Sequence, residues 1–311
     1  MRRASLVLVI ALLGTTASAQ WVKYPAPGTP RTADGKPNLT APAPRASNGN
    51  PDLSGIWHVQ PTGRAEMKRL FGDDVDKIEV PGMEIDTISK YGINILQDFK
   101  QEEWPVRPEV YEILKRRGDD KPEPLPLTHC LPGGIVLSTL LSEVTKIVQT
   151  PGLTLIMLEL GGVRQIYTDG RKHMADPSPS WLGYSVGRWD GDTLIVDTVG
   201  FNGKSWLDIM GHPQSEQGRV IERYRRRDFG HMDVEITIDD PTHYTKPFTV
   251  KVTHLLQPDT DILEYFCNEN EKDRQHMKLY GKANETSGDC NGDDVVRGGL
   301  RRFGAELVRR S

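Results

Sequence analysis

Between residues 146 and 267 the chain carries nine short runs of β-branched and aromatic residues with no helical pattern between them. They fall at 146–150, 153–160, 163–168, 183–189, 193–199, 219–227, 231–238, 248–256 and 262–267. The strings "TPG", "LGG", "DGD", "DFG" and "QPDTD" join several of them, supplying residues that tolerate tight turns. Such a succession excludes alternating βαβ units and predicts an all-β, antiparallel sandwich or barrel. A strand at Trp57, in "PDLSGIWHV", brings the count to about ten, enough to close a barrel around a ligand-sized interior. The pair Trp189-Asp190 suggests a β-propeller, but no repeat of roughly 40 residues accompanies it.

The first nineteen residues read as a secretion signal: Arg2 and Arg3, an apolar run from Leu6 to Leu13, then Ala17-Ser18-Ala19. The mature protein is therefore expected in the periplasm or outside the cell, without a transmembrane segment. Residues 20–50 are rich in Pro, Ala and Asn and read as an extended or disordered arm. Residues 51–311 form the expected single barrel domain, with a helical insertion at 64–118. Within it, 65–71 and 108–117 look helical, the second opening on Pro108 and followed by Gly118. The whole chain has 39 basic and 43 acidic residues; losing Arg2 and Arg3 leaves 37 against 43, a net charge of −6. That balance argues against a nucleic-acid partner. The one basic cluster, "RYRRRD" at 223–228, reads as a solvated strand face.

Strand alternation sorts the polar residues by face. In 231–238 Met232, Val234, Ile236 and Ile238 form the core side, leaving His231, Asp233 and Glu235 to solvent. His254 shares a face with Phe248, Val250, Val252 and Leu256. Glu159 aligns with Leu153, Leu155 and Met157, Glu264 with Ile262, and Asp197 with Thr193, Ile195 and Val199. Each carboxylate is thus expected to point inward. Arg164, beside Ile166, and Arg188, beside Tyr184 and Val186, supply positive partners, since buried charges require pairing. Glu159, Asp197, Glu222 and Glu264 against Arg164, Arg188 and Arg223 form the expected interior network. Asp197 in particular is expected to meet Arg188 or Arg223.

Two long connections concentrate unusual residues. "YTDGRKHMADPSPSW" carries Arg171, His173 and Trp181, and "GFNGKSWLDIMGHPQSE" carries Trp206, Asp208 and His212. Loops on a rigid β scaffold commonly bear sites. Trp181, Trp206, Tyr184, Arg164, Arg171, Arg188 and Glu159 are the candidate ligand contacts. His173, His212 and His254, paired with Asp197, Glu222 or Glu264, are the candidate acid–base groups. No nucleophile elbow, P-loop, zincin motif or dinucleotide fingerprint occurs, so no metal or cofactor is assigned. Cys130, Cys267 and Cys290 permit three disulfide pairings.

The strings "PDLSGIW", "CLPGG", "RQIYTDGRKH", "YSVGRWDGDTLIVDTVGFN", "WLDIMGHPQSE", "VIERYRRRD", "EITIDDP" and "LEYFCNEN" resemble a large family of exported bacterial proteins, plentiful in soil bacteria such as acidobacteria and mostly described only as hypothetical. The resemblance spans about 51–270 and implies export and one β-rich domain, with no activity attached. "SGIW" is also similar to the start of lipocalin-like barrels. Cys130 and Cys267 lie inside family-like strings and Cys290 outside them, so the resemblance implies a Cys130–Cys267 bridge. The fold expected is a closed antiparallel, lipocalin-like barrel. Three functions suit it: binding a small apolar or amphiphilic molecule, acid–base catalysis by an isomerase, lyase or hydratase, or a structural role in the envelope. Oligomeric state is not legible.

Overall fold

The computed structural model describes residues 25–72, 87–118, 123, 125–159, 162–264 and 267. Nine strands close into a barrel in which each pairs with its neighbours in chain order: β1 (Gly55–Val59), β2 (Thr145–Thr150), β3 (Leu153–Leu158), β4 (Gly162–Tyr167), β5 (Tyr184–Asp190), β6 (Thr193–Val199), β7 (Arg219–Arg226), β8 (His231–Asp239) and β9 (Phe248–Leu256). β9 returns to β1 through Trp57↔Leu256 and Val59↔His254. The architecture is the expected lipocalin-like closed barrel, mostly antiparallel. The expected strand at 262–267 is a correction: Asp261 to Glu264 have no regular structure, and the ring closes without them.

An odd number of strands cannot alternate direction all the way around a ring, so at least one neighbouring pair must be parallel. That pair is β4–β5, joined through Ile166↔Ser185 and Tyr167↔Val186. The long connection 168–183 makes it possible by carrying the chain back before β5 begins, whereas tight turns suffice for hairpins such as β5–β6. Gly183 ends that connection at φ +64, where a Cβ would lie 2.8 Å from the Val199 carbonyl oxygen. Only glycine accepts both the conformation and the contact.

Alternation fixes the interior. Leu194, Val196 and Thr198 of β6 face Val220, Glu222 and Tyr224 of β7, followed by Val234, Ile236 and Ile238 of β8 and Phe248 and Val250 of β9. All are buried. The other face of β7 is an arginine ladder matched by acids: Arg219 with Asp197, Arg223 with Asp190, and Arg227 with Asp233. Arg223, Arg225 and Arg227 make the solvated face expected of "RYRRRD", but Tyr224 and Arg226 alternate with them and are buried. Trp57 is completely buried, donates its indole N–H to the Leu53 carbonyl at 2.9 Å, and lies beneath the Arg226 guanidinium, 4.9 Å from the ring centroid.

The helices pack against the barrel, sharing its core. α1 (Arg64–Phe71), α2 (Lys90–Ile93) and α3 (Pro108–Gly118) occupy the insertion. α3 turns Val110 and Leu114 into the core, as its spacing predicts. A fourth helix, α4 (Ile135–Leu140), has all six residues buried and leads into β2. It was not legible because "IVLSTLL" is apolar on every face and carries no helical period. Cys130 and Cys267 form the disulfide, with Cα atoms 5.5 Å apart. The described part of the arm, from residue 25, is extended and turn-rich, and is tied down by Arg31 to Asp259, Arg45 to Asp192, and Gly230 N–H to the Leu39 carbonyl. The expected secretion signal and Cys290 lie outside the described residues.

Candidate functional site

Among the described residues the barrel encloses one charged pair, and β4, β5, β6 and β7 each contribute to it. Arg164 and Glu222 are 3 % and 1 % exposed. The guanidinium engages both carboxylate oxygens of Glu222, one of them at 3.0 Å through Nη1. It also donates from Nε to Ser185 Oγ at 3.1 Å and from Nη2 to Thr198 Oγ1 at 2.9 Å. Tyr224 donates its hydroxyl to Glu222 Oε1 at 2.6 Å. Burial opposes charge on Arg164, but the neighbouring Glu222 outweighs it and raises the arginine above its ordinary value. Burial and then the Glu222 charge push the Tyr224 hydroxyl far up, so it stays protonated and donates. Each partner's demand is met from within the network, the condition under which a buried pair is tolerated.

α4 lies over this network. Between them is a cavity of about 10 Å³ lined by Ile135 and Thr139 of α4, with Ile147, Ile156, Leu158, Arg164, Tyr224 and His254 among the barrel residues. That is room for roughly one water molecule. His254 donates from Nε2 to the Thr139 carbonyl at 3.1 Å and thereby pins α4. Burial lowers its pKa to about 4, so the ring is neutral at physiological pH. The expected acid–base pairing of His254 is corrected: its partner is a backbone carbonyl.

Asp197 is a second correction. It points outward and pairs with Arg219 at 2.8 and 2.5 Å, not with Arg188 or Arg223. Thr198, next along β6, takes the inward place. Because Arg219 is about half exposed, Asp197→Asn is expected to lower stability by about 1 kcal/mol at most. Urea unfolding of that variant checks the assignment, since a buried pair would cost several times more. The remaining members of the expected interior network are also displaced. Arg188 is exposed, and Arg223 reaches Asp190 on the outside at 3.8 Å. Glu264 is exposed beyond the last strand, and Glu159 is half-buried just past the end of β3. Its expected face-mates Leu153, Leu155 and Met157 point outward, while Thr154, Ile156 and Leu158 point in.

The loop candidates divide into two places. Tyr184, Arg171 and His173 lie on the outside near Tyr167. Arg171 sits over the Tyr167 ring at 3.9 Å and pairs with Asp169, and the Tyr167 and Tyr184 rings are 5.5 Å apart. His173 reaches the Asp197 backbone carbonyl, not a carboxylate, at 2.9 Å. Trp181 is half-buried beside Gly134. Trp206 and His212 are buried in the layer outside the barrel, with Arg117 over the Trp206 ring at 4.3 Å. His212 meets a carboxylate, but it is Asp208, with Nδ1 to Oδ2 at 2.6 Å, and not Asp197, Glu222 or Glu264. Asp208 also accepts from the backbone N–H groups of Ile95, Gly211 and His212.

One residue escaped the sequence altogether. Glu143, between α4 and β2, is 6 % exposed, and neither carboxylate oxygen has a partner among the described residues. Burial, with the nearby Glu159 adding to it, pushes its pKa up to about 8. The signal was a lone acid inside the apolar stretch "IVLSTLLSEVTKIV". Among the described residues no group of three or more His, Cys, Asp and Glu side chains is arranged to hold a metal, and no helix is long and apolar enough to cross a membrane. No family model matches the chain, and neither a curated protein nor a solved structure is detectably similar to it.

Proposed function

We propose that this is an exported protein whose barrel is a solid platform for contacts made on its outside, with a structural role in the envelope. The observation that carries this reading is the small size, about 10 Å³, of the cavity between α4 and the Arg164–Glu222 network. Pockets for organic ligands typically run from about 300 to 1,000 Å³. Export is supported by the secretion-type N-terminus and by the resemblance to exported bacterial proteins. The outer surface supplies material for contacts. Val148 on β2, Leu155 and Met157 on β3, and Val163 on β4 face outward as neighbours, and Val163 is well exposed. An apolar face of this kind suits a protein surface.

A second reading, binding of a small amphiphilic molecule, is favoured by the composition of the cavity wall. Ile147, Ile156 and Leu158 offer an apolar side, and Arg164, Tyr224 and His254 a hydrogen-bonding end. An occupant larger than water requires α4 to withdraw. Native mass spectrometry of the protein purified from its own host separates the two. The platform reading expects the mass of the polypeptide alone. A stoichiometric organic adduct released on denaturation would overturn it in favour of the ligand carrier.

A further inference from the structure

We infer that the ribbon formed by residues 205–207 and 212–214 is a binding site for a small molecule bearing adjacent hydroxyl groups, such as a diol or a sugar ring. Trp206↔Pro213 bridge the ribbon, Leu207 N–H donates to the His212 carbonyl at 2.8 Å, and Gln214 N–H to the Ser205 carbonyl at 3.4 Å. In antiparallel pairing this places Ser205, Leu207, His212 and Gln214 on one face, with Trp206 and Pro213 on the other. Ser205, His212 and Gln214 are 2 %, 0 % and 2 % exposed. Ser205 Oγ, His212 Nε2 and both amide atoms of Gln214 nonetheless have no hydrogen-bond partner among the described residues.

Orphaned buried polar atoms are rare and destabilising, so a group of them calls for a missing partner. Of the nine such side-chain atoms among the described residues, these four share one ribbon face, which scattered packing faults would not produce. Nearby protein groups are already engaged. Asp208 is committed to His212 and three backbone N–H groups, and Asp240 to Ser215 and Thr242, while Arg117 gives Nη1 to the Gly211 carbonyl and keeps Nε among the nine unpartnered atoms.

The atoms define the ligand chemistry. His212 donates from Nδ1 to Asp208, which leaves Nε2 as its free ring nitrogen. The Gln214 amide places a donor beside an acceptor, and Ser205 can act as either. One hydroxyl, able to donate or accept, shared between His212 Nε2 and the Gln214 amide nitrogen, next to a second that donates to Gln214 Oε1, satisfies three of the four atoms. A metal ion does not fit, because the carboxylate is already used. An anion does not fit the Gln214 oxygen. The partly exposed Trp104 stands edge-on to His212 at 5.2 Å between centroids.

The test uses ethylene glycol and glucose as probes on the full-length protein. Both are expected to raise the thermal midpoint of the wild type by a few degrees at saturation. Gln214→Leu, which removes two orphan atoms, should abolish that shift while leaving the unliganded protein at least as stable. Ser205→Ala should weaken the shift and provides a second reading if Gln214→Leu fails to fold. No probe-dependent shift in the wild type, an undiminished shift in Ser205→Ala, or a probe-soaked crystal showing ordered water only on the ribbon would each overturn the inference.

Discussion

Arg164→Met is expected to cost about 3–5 kcal/mol of unfolding free energy, the range found when one member of a buried ion pair is removed. The loss is large because Glu222, 1 % exposed, is left charged in the barrel with only the Tyr224 hydroxyl to answer it. Ser185 and Thr198 lose their donor at the same time and fall back on each other, their hydroxyls being 2.9 Å apart. The companion variant Glu222→Gln leaves an unpaired guanidinium and should be similarly harmful. Arg164→Met combined with Glu222→Gln removes both charges and keeps an acceptor for Tyr224, so it should recover most of the loss. Urea unfolding of the four proteins gives the coupling directly. Single losses that simply add in the double variant would mean the two side chains do not depend on each other.

Glu143→Gln is expected to act in the opposite direction and to stabilise the protein. The folded state holds this carboxyl protonated to about pH 8, against an ordinary value of 4.5. The unfolded chain therefore releases a proton that the folded chain keeps, and this contribution to stability falls as pH rises from 4.5 to 8. The glutamine variant escapes that loss by roughly 3 kcal/mol at pH 7 and about 5 kcal/mol above pH 8, from the energy equivalent of a pKa shift. His254 has the reverse sign. Its pKa of about 4 against 6.5 makes the folded state gain stability as pH rises through that interval. Comparing wild type and Glu143→Gln by urea unfolding at pH 5, 7 and 8.5 isolates the carboxyl, because the histidine is common to both. A gap between the two that does not widen with pH would show that Glu143 is ionised in the fold.

How far the sequence revealed this arrangement depended on whether each strand had one apolar face or two. β8 and β9 alternate cleanly, so Met232, Val234, Ile236 and His254 were placed inside correctly. Arg164 and Glu222 were legible as members of an interior network of arginines and acids, though not as each other's partner. β3 is apolar on both faces, and there periodicity offered no choice between Leu155 and Ile156. In β5 and β6 the inward positions include Ser185 and Thr198, polar residues that serve Arg164, while apolar Val186 and Ile195 occupy the outer face. Hydrophobicity therefore pointed the wrong way, and Asp197 followed it. The pairing of His212 with Asp208 was hidden for a different reason. It depends on a tight turn at Gly211, φ +95, which brings two loop residues together without any strand or helix period.

The parallel seam follows from the strand count alone. Ten strands allow an antiparallel ring, and nine do not. Losing the expected strand at 262–267 thus forces a feature elsewhere, at β4–β5, where the connecting loop is long enough to reverse direction.

The interior itself is open to direct observation by high-resolution diffraction from crystals of the protein prepared from its native host. The expected result is Arg164 bound to Glu222, α4 in place over the ring, and density for no more than one water between them. Density for an organic molecule in that space, or α4 displaced from His254, would contradict it.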